Sequence, residues 1–375
     1  MVPSSAPEPP VGAVRPLRYG IVGAGMMGQE HLRNLLALEA ADAGVEVVAL
    51  ADPFARSLSD SQGWLPPGHG VATFPDHRAL LTDAGCDVVV VATPNHTHAA
   101  VLDDLLAADV HLLVEKPLCT TVADCRRVVE AARDRSGLVW VGLEYRYMPP
   151  VAALIDAVDG GAVGRVRMVA IREHRFPFLP KVDDWNRFSR NTGGTLVEKC
   201  CHFFDLMHRV VGERPTSVYA SGGQAVNHLD EVYDGEVPDL LDHAFVILDF
   251  ASGARGLLDL CMFAEGSVNQ EEVSVVGDVG KVEAFLPSSI LRVGARTGGA
   301  ASVREEAVTD PRVAHEGFHH GASYVEHLEL LAAIRTGTAP EVGVDEGLWS
   351  VAVGVAAHRS IDEHRPVELA EVLGD

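Results

Sequence analysis

The chain has 375 residues, too many for one ordinary hydrophobic core, so we expect two domains. Its residues are 47% hydrophobic and only 22% charged, a composition typical of a globular enzyme and not of a disordered or fibrous chain. The net charge of −23 repels nucleic-acid phosphates and anionic lipid, so we expect neither nucleic acid nor a membrane as a partner.

The first residues, 1–16, are rich in Pro, Ser and Ala and lack a cationic start followed by an apolar block. We therefore predict a disordered leader and not a signal peptide. No apolar run approaches the roughly 20 residues of a membrane span. The six cysteines contain no C-x-x-C pair, which favours reduced thiols in a cytoplasmic protein.

Short apolar runs alternate with amphipathic stretches from Leu17 onward. The predicted strands are 17–22, 45–51, 87–93, 110–114 and 138–142, and the predicted helices lie near 27–40, 76–84, 96–107 and 121–134. Near-continuous apolar strands separated by helices indicate a parallel sheet covered on both faces. Ligands of such sheets bind outside the carboxyl ends of the strands, so the residues after each strand are candidates for a site.

A glycine-rich turn follows the first strand. Gly23, Gly25 and Gly28 have the G-x-G-x-x-G spacing, and Met26 and Met27 stand where the next helix begins. These glycines allow a tight turn and close backbone approach, so that a pyrophosphate can lie at the helix N-terminus. Such turns are common, but this one lies between a strand and a helix, which predicts dinucleotide binding.

The second strand ends at Asp52, whose carboxylate can accept hydrogen bonds from an adenosine ribose diol. The same carboxylate would repel a 2′-phosphate, which favours NAD over NADP. Arg56, four residues further on, weighs against that preference.

Polar side chains also follow the third predicted strand, in the segment Thr93, Pro94, Asn95, His96, Thr97 and His98. Two histidines at i and i+2 would point to different faces of a helix, so we do not expect a metal site. We predict that Asn95 caps a helix and that the imidazoles lie near the cofactor.

The fourth predicted strand runs into Glu115, Lys116 and Pro117. A lysine beside a bound dinucleotide can hold a substrate hydroxyl and stabilise the alkoxide that forms as hydride leaves carbon. Glu115 can anchor the nicotinamide end, and Pro117 fixes the backbone that aims Lys116. The competing interpretation is a surface ion pair of little energetic value.

The glycine-rich turn, Asp52, the A-T-P-N-H-T-H-A segment and E-K-P-L occur in the order and spacing of the glucose-fructose oxidoreductase / inositol dehydrogenase / rhizopine catabolism (Gfo/Idh/MocA) family. The chain resembles this family over essentially its whole length from Leu17. The resemblance implies a Rossmann domain over 17–145 and a substrate-binding and oligomerisation α/β domain, with an open, mostly antiparallel sheet, over 146–375. It also implies that Lys116 is catalytic and that the Lys116–Pro117 peptide bond is cis.

The expected cofactor contacts come from the ends of several strands. They are Gly23, Gly25, Met26, Met27, Gly28, Asp52, Thr93, Pro94, Asn95, His98, Glu115 and Lys116.

The second informative stretch is 193–212. On one continuous helix Glu198, His202 and Asp205 would line a single face, with Glu198 holding one imidazole nitrogen so that the other exchanges a proton with substrate. A histidine with its usual pKa of about 6.5 suits that task at mildly alkaline pH. The alternatives are a core histidine paired with a carboxylate, a zinc site that includes the adjacent Cys200 and Cys201, and a redox pair of those cysteines. Adjacent helical residues point about 100° apart, which argues against the metal.

The family resemblance favours the catalytic interpretation, because sugar and inositol dehydrogenases of this group carry D-x-x-x-H at this place. Here Glu198 replaces the aspartate, and His202 matches the histidine. Arg146 and Trp185 match positions near the family's substrate pocket, although an exposed arginine and a packed indole are simpler interpretations. No role is predicted for Lys199.

The rest of the chain indicates antiparallel sheet and closing helices. The predicted strands are 166–174, 216–225, 243–250, 254–264, 271–280 and 281–287, and the predicted helices are 321–336 and 345–362. The family resemblance implies that the open sheet face supports a homodimer or homotetramer.

These expectations combine into an NAD-dependent dehydrogenase that oxidises a secondary alcohol of a sugar, sugar derivative or cyclitol to a ketone, or runs the reverse reduction. Lys116, Glu198 and His202 are the expected catalytic residues, and they bind substrate together with Arg146 and Trp185. Two alternatives remain from the same family: an NAD-dependent glycosidase that works by transient oxidation, and a non-catalytic sugar sensor. The presence of both Lys116 and His202 argues against the sensor.

Overall fold

A computed structural model of the chain describes residues 15–374. Only the last two residues of the predicted leader are among them, and the rest of 1–16 lies outside the described residues. Arg15 forms two hydrogen bonds of 2.7 Å with the Asp87 carboxylate. Arg15 is therefore joined to the folded domain, in contrast to the disorder predicted for the whole leader.

The first part of the chain forms a six-stranded parallel sheet. Its strands are β1 (Leu17–Val22), β2 (Val45–Ala51), β3 (Ala72–Phe74), β4 (Val88–Val91), β5 (His111–Glu115) and β6 (Val139–Gly142). They lie in the order β3-β2-β1-β4-β5-β6, so the direction of winding reverses between β1 and β4. In an open sheet of this kind, that reversal opens a crevice at the carboxyl ends of the strands.

Helices cover both faces of this sheet. They are α1 (Met26–Ala40), α2 (Ala55–Gln62), α3 (His77–Asp83), α4 (His98–Leu105) and α5 (Val122–Ala132). The five predicted strands are present, whereas β3 and α2 are not among the predicted elements. β3 has three largely exposed residues, and the sequence of α2 is mostly polar, so neither carries a clear hydrophobic period.

The second part of the chain forms a nine-stranded sheet. Its strands are β7 (Val166–His174), β8 (Pro215–Gly223), β9 (His243–Phe250), β10 (Arg255–Cys261), β11 (Glu271–Gly277), β12 (Gly280–Leu286), β13 (Ile290–Ala295), β14 (Arg304–Ala307) and β15 (Val367–Glu368). The order is β14-β13-β12-β11-β7-β10-β9-β8-β15. Among these described strands only β7 and β10 pair in parallel, so the predicted open, mostly antiparallel sheet is confirmed.

Within residues 15–374, seven α-helices accompany the second sheet. They are α6 (Pro149–Asp159), α7 (Ser189–Thr192), α8 (Thr195–Glu198), α9 (Cys201–Val211), α10 (Ala322–Thr336), α11 (Val344–Glu363) and α12 (Leu369–Leu373). The two predicted C-terminal helices correspond to α10 and α11. They also cover the first domain, since α10 packs against α1 and α11 packs against α5. No helix within residues 15–374 combines the length and apolarity that a membrane span requires.

A buried ion pair joins the end of the first sheet to the second domain. Arg146 lies just after β6, and its guanidinium donates two hydrogen bonds of 2.6 Å to the Asp205 carboxylate on α9. Their side chains are only 4% and 1% exposed. The burial of the guanidinium opposes its charge, but Asp205 outweighs burial and raises the pKa of Arg146, so the guanidinium remains charged.

Breaking this pair should destabilise the fold because one charge would stay buried without a partner. We expect Arg146→Met to lower the free energy of unfolding by about 3–5 kcal/mol, measured by urea denaturation. Combining Arg146→Met with Asp205→Leu should restore much of that loss. A double variant less stable than the single one would contradict this prediction.

Candidate functional site

A cleft of about 610 Å³ opens at the carboxyl ends of β1, β2, β4 and β5. Its lining divides into three stretches. One end is formed by residues 52–54, Ser57 and residues 75–77, the middle by the glycine-rich turn and residues 92–97, and the other end by Glu115, Lys116, residues 180–183, Trp185 and Glu198. The volume falls in the range typical of ligand pockets, and the last stretch brings both domains to one end of the cleft.

The glycine-rich turn is built so that no side chain fills the cleft. Gly23 has a φ of +93°, which favours glycine. A Cβ on Gly28 would lie 1.8 Å from the Gly23 carbonyl oxygen, whereas a Cβ on Gly25 would meet no atom within 4 Å. Gly25, Met26 and Met27 line the cleft at the start of α1, and Gly28 instead lets the helix approach the turn. Backbone N–H groups at this helix N-terminus are suited to bind phosphate.

Asp52 lies at the end of β2, in the wall of the cleft. Its carboxylate accepts hydrogen bonds from the backbone N–H groups of Ala24 at 2.7 Å and Phe54 at 2.8 Å. These bonds fix the carboxylate, and each oxygen keeps a lone pair for a further donor. The Arg56 side chain is 93% exposed and lies 3.7 Å from Asp60, so it turns away from Asp52.

The segment after β4 divides into a cleft-facing part and a buried part. Thr93, Pro94 and Asn95 line the cleft. The expectation that Asn95 caps a helix is wrong, because Asn95 itself begins a short 3₁₀ turn, Asn95–Thr97. Its buried Nδ2 has no hydrogen-bond partner among the described residues. His98 is fully buried, with ring nitrogens 2.9 Å from the Pro117 carbonyl and 3.0 Å from the Thr93 carbonyl. It therefore holds two cleft-forming loops together instead of lining the cleft.

At the end of β5 a chain of buried groups holds Glu115. Its carboxylate lies 2.9 Å from His31 Nε2 and accepts a 3.1 Å bond from the backbone N–H of Lys116. His31 Nδ1 in turn lies 3.0 Å from His327 Nε2. Burial favours the protonated carboxyl, but His31 outweighs this effect and lowers the pKa of Glu115. The Lys116–Pro117 peptide bond is cis, as the family resemblance implies.

Lys116 and Glu198 meet at the end of the cleft. The Lys116 ammonium donates a 3.2 Å hydrogen bond to the Glu198 backbone carbonyl, and both side chains line the cleft. Burial opposes the charge of Lys116, but the acidic groups around it, Cys201 and Glu115 first, raise its pKa. Burial raises the pKa of Glu198 to about 6, although Lys116 counteracts part of the shift. A charged lysine thus stands beside a carboxyl that can take up a proton near neutral pH. Lys116 is not a surface ion pair.

The predicted single helix over Glu198, His202 and Asp205 is interrupted. α8 ends at Glu198 and α9 begins at Cys201, so the expected i, i+4 geometry does not apply. The freed Glu198 carbonyl accepts from Lys116, and no hydrogen bond joins the side chains of Glu198 and His202. Asp205 turns toward Arg146 instead of the cleft. The prediction that these three residues line one face is therefore wrong.

His202 is buried beneath the cleft, 1% exposed. Its ring stacks on the Tyr145 ring at 3.9 Å with an angle of 9° between the planes. Its Nε2 lies 4.0 Å from Glu144, and its Nδ1 has no hydrogen-bond partner among the described residues. Burial, reinforced by Lys116, lowers the pKa of His202 well below its usual value, so the ring is neutral. The expectation that His202 has a pKa near 6.5 is therefore wrong.

Lys199, for which the sequence predicts no role, fixes the partner of that stack. Its ammonium donates a 2.6 Å hydrogen bond to the Tyr145 hydroxyl and lies 2.9 Å from the Glu173 carboxylate. Burial lowers its pKa, and Glu173 opposes that shift. Lys199 therefore positions Tyr145, and through it His202. Cys200 and Cys201 are free, buried thiols.

Of two further residues predicted to bind substrate, Trp185 lines the cleft and Arg146 does not. Trp185 lines the cleft, with its ring 6.0 Å from that of His96. Arg146 does not line the cleft, because its guanidinium is taken up by Asp205. The expectation that Arg146 contacts substrate is therefore corrected to a structural role.

Several polar residues at or near this end of the cleft are not among the predicted ones, and Lys181, Glu144 and His319 are three of them. Lys181 lines the cleft, whereas Glu144 and His319 lie behind it, 3.3 Å apart. Burial raises the pKa of Glu144 well above its usual value and lowers that of His319 to about 3, so both groups are neutral near pH 7. No local motif marks them, since they come from an irregular turn, a 3₁₀ turn and a loop far apart in the chain. Within residues 15–374 no three His, Cys, Asp or Glu side chains are arranged to hold a metal ion.

Both halves of the chain match models of one protein family. Residues 17–143 match the "Oxidoreductase family, NAD-binding Rossmann fold", and residues 155–369 match the "Oxidoreductase family, C-terminal alpha/beta domain". The chain belongs to the Gfo/Idh/MocA oxidoreductase family. The predicted family and fold class are thus confirmed, and the protein is an oxidoreductase with an NAD-binding Rossmann domain.

Relatives cover nearly the whole of this Gfo/Idh/MocA chain. The myo-inositol 2-dehydrogenase of Thermotoga maritima is 27% identical over 96% of this chain and 100% of its own. The inositol 2-dehydrogenase of Rhizobium meliloti is 28% identical over 94% and 99%. A putative myo-inositol dehydrogenase from Sinorhizobium meliloti has a TM-score of 0.75 at 26% identity, covering 94% of this chain and 100% of its own. Levoglucosan dehydrogenase, crystallised with NADH and levoglucosan, has a TM-score of 0.81 at 20% identity, covering 95% and 100%, and shares the fold.

The residues of the cleft fit a nicotinamide dinucleotide. The open space at Gly25 leaves room for a pyrophosphate at the start of α1. The fixed Asp52 carboxylate offers acceptors for a ribose diol, and the unpartnered Asn95 amide offers a donor in the middle of the cleft. This order of groups follows the expected course of the cofactor from adenosine to nicotinamide.

Proposed function

We propose that the protein is an NAD-dependent dehydrogenase that oxidises a secondary alcohol of a sugar, sugar derivative or cyclitol to a ketone, or catalyses the reverse reduction. The observation that carries this proposal is the meeting of Lys116 and Glu198 at the end of a dinucleotide cleft. A fixed cation beside a proton-accepting carboxyl is what alcohol oxidation requires: one group stabilises the developing oxyanion and the other removes the proton.

The substrate class is supported by the cleft and by the relatives. Lys116, Lys181 and Glu198 offer hydrogen-bond donors and acceptors, and Trp185 offers a flat apolar face against which the C–H face of a ring can pack. Two relatives that span the chain are named inositol 2-dehydrogenases. A polyhydroxylated ring can pair with both the donors and the acceptors, whereas an aliphatic alcohol would leave several of these groups unpaired in a partly desolvated site.

In this proposal the residues of the chain have separate tasks. Bound NAD supplies the hydride acceptor. Lys116 donates a hydrogen bond to the reacting oxygen and stabilises its negative charge, and Glu198 takes the hydroxyl proton. His202 stays neutral and packs beneath them. These roles are the reverse of those expected from the sequence. Glu198 lines the cleft and has a pKa suited to proton transfer, whereas His202 does not line the cleft and its pKa is too low.

Two finer points extend the proposal. The apolar, exposed side chains on the outer face of the second sheet support the expected homodimer or homotetramer; they include Met168, Tyr219, Phe245, Ile247 and Leu257. The six free cysteines support the expected cytoplasmic location.

We further propose that NAD is preferred over NADP, because a 2′-phosphate would face the Asp52 carboxylate while Arg56 points to solvent. Two such charges about 4 Å apart repel by several kcal/mol at intermediate dielectric. In binding titrations, NAD should bind at least about tenfold more tightly than NADP. Asp52→Ser should narrow that ratio, and the control Arg56→Ala should leave it unchanged. Tighter binding of NADP by the native protein would refute the preference.

The oxidation itself is tested by following NADH formation with panels of cyclitols, aldoses, anhydrosugars and simple aliphatic alcohols. We expect turnover of at least one ring polyol. Lys116→Met should lower kcat by about a hundredfold or more while NAD binding persists, because the lost hydrogen bond mainly stabilises the transition state. Turnover confined to aliphatic alcohols would refute the substrate class, and an unchanged kcat would remove Lys116 from the mechanism.

The assignment of Glu198 as proton acceptor predicts a pH profile. Only the ionised carboxylate can take the proton, so kcat/KM for oxidation should fall as the pH drops through about 6, the pKa of Glu198. Glu198→Gln should lower activity and remove this acid limb. Because His202 is neutral throughout this range, His202→Asn should keep the limb. A limb that disappears with His202 and persists without Glu198 would restore the roles expected from the sequence.

A further inference from the structure

The use of lysine in this chain is restricted. Of its thirty basic residues only four are lysines, at positions 116, 181, 199 and 281, and all the others are arginines. Lys281 is paired with Glu283 on the surface of β12. The other three lie at or directly behind one end of the cleft. Arginine is permanently charged in proteins, whereas a lysine in a low-dielectric site can lose its proton.

Among these three lysines, only the ammonium of Lys181 makes no hydrogen bond or salt bridge within residues 15–374. It stands on a turn that is held in shape, since Asn186 Nδ2 donates a 3.0 Å bond to the Leu179 carbonyl and Asp184 N–H donates a 3.0 Å bond to the Lys181 carbonyl. Asp183 and Asp184 have φ values of 54° and 48°, which bend the chain so that Lys181 and Trp185 both line the cleft. Lys181 is half-buried.

The charged groups around Lys181 come from four parts of the fold. Glu198, at the end of α8, attracts its charge most strongly; Lys116 and Arg175 repel it, and Glu115 attracts it. Asp183, on the same turn, also lines the cleft and is exposed. Lys181 therefore lines the same cleft as the buried Glu198 carboxyl, feels its charge and is itself partly exposed to solvent.

We propose that Lys181 carries the proton of the reaction from Glu198 to solvent. This inference rests on the proposed function. In the oxidation, the substrate C–H bond breaks and its electron pair goes with the hydrogen to NAD⁺, giving NADH. The O–H bond breaks and its proton passes to the Glu198 carboxylate. The neutral Lys181 amine then takes that proton, forms an ammonium and releases the proton to water, so that each turnover yields a ketone, NADH and one proton.

The energetics of the site agree with this transfer. Burial, with a further contribution from Lys116, lowers the pKa of Lys181 to about 8, and that of Glu198 is about 6. The proton therefore moves to the stronger base, and the amine is close enough to neutrality to be regenerated in mildly alkaline solution. Above pH 8 most of the amine is neutral and able to accept, so oxidation should become faster as the pH rises through that value.

An alternative role for Lys181 is to bind a negatively charged group of the substrate or the cofactor diphosphate. Arginine would serve that role at least as well, because its fork of donors fits carboxylate and phosphate. Substitution by arginine therefore separates the two roles: it keeps the charge and removes the ability to titrate.

The test compares the native protein with Lys181→Arg and Lys181→Met, using Lys281→Arg as the matched control. Rapid mixing with NAD and a turned-over polyol follows NADH absorbance and proton release to a pH indicator together. In the native and Lys281→Arg proteins the two signals should coincide. In both Lys181 variants proton release should lag behind NADH by about tenfold or more, the alkaline rise near pH 8 should vanish, and small primary amines should restore proton release to Lys181→Met.

The possible results are distinct. If Lys181→Arg releases protons at the native rate, or if amines do not rescue Lys181→Met, Lys181 is not the proton carrier and the dehydrogenase function still stands. If Lys181→Arg retains activity while Lys181→Met loses NAD or substrate affinity alone, the residue binds an anion and the proposal is overturned. If the native protein oxidises no polyol, the proposed function fails, and the proton transfer with it.

Discussion

The hydrogen bond from the Lys116 ammonium to the Glu198 carbonyl is the interaction on which the rest of the site depends. It joins the end of β5 in the Rossmann domain to a broken helix in the second domain, so the reaction end of the cleft exists only when both domains are docked. The break between α8 and α9 makes the bond available, because a carbonyl inside a continuous helix would be occupied by the N–H four residues further on. The same break separates Glu198, which faces the cleft, from His202, which packs below it.

Burying so many ionisable groups around one point is costly unless they compensate one another. The structure meets this cost with a few short contacts: Glu115 with His31, Lys199 with Glu173, and Arg146 with Asp205. Groups without such a partner respond by becoming neutral, as the raised pKa of Glu144 and the lowered pKa of His202 indicate. Lys116 stays charged within this balance, and Glu198 and Lys181 are left with pKa values of about 6 and about 8, on either side of neutral pH.

Local sequence patterns were enough to predict the fold of the first domain and the cleft residues that follow its strands. Parallel strands align their carboxyl ends at one edge, so Asp52, Thr93 and Lys116 could be expected to meet from their places after successive strands, and they do line one cleft. The sequence predictions failed where tertiary contacts override the local hydrophobic periodicity. The helix break at Lys199–Cys200 could not be predicted, because helical spacing continues through it in the sequence.

Long-range partners account for the other differences. Nothing near Arg146 in the sequence shows that Asp205 binds its guanidinium. Nothing near Lys181 shows that a turn with two left-handed aspartates brings it into the cleft that Glu198 also lines. The short elements β3 and α2 were missed because they are mostly polar and carry no clear period. The sequence therefore predicts where the cleft lies and that it suits a dinucleotide, whereas the contacts and pKa shifts of its charged groups depend on the assembled fold.

Transfer of deuterium from the carbinol carbon of a ring polyol to the nicotinamide is the most direct test of hydride chemistry at the Lys116–Glu198 end of the cleft. Deuterated inositol or sugar would be mixed with NAD and the protein, and the NADH analysed by mass spectrometry. We expect NADH with one deuterium from the native protein, and about a hundredfold less of it in the same time from Lys116→Met. NADH without deuterium, or the same deuterated yield and rate from both proteins, would contradict the assignment of this site.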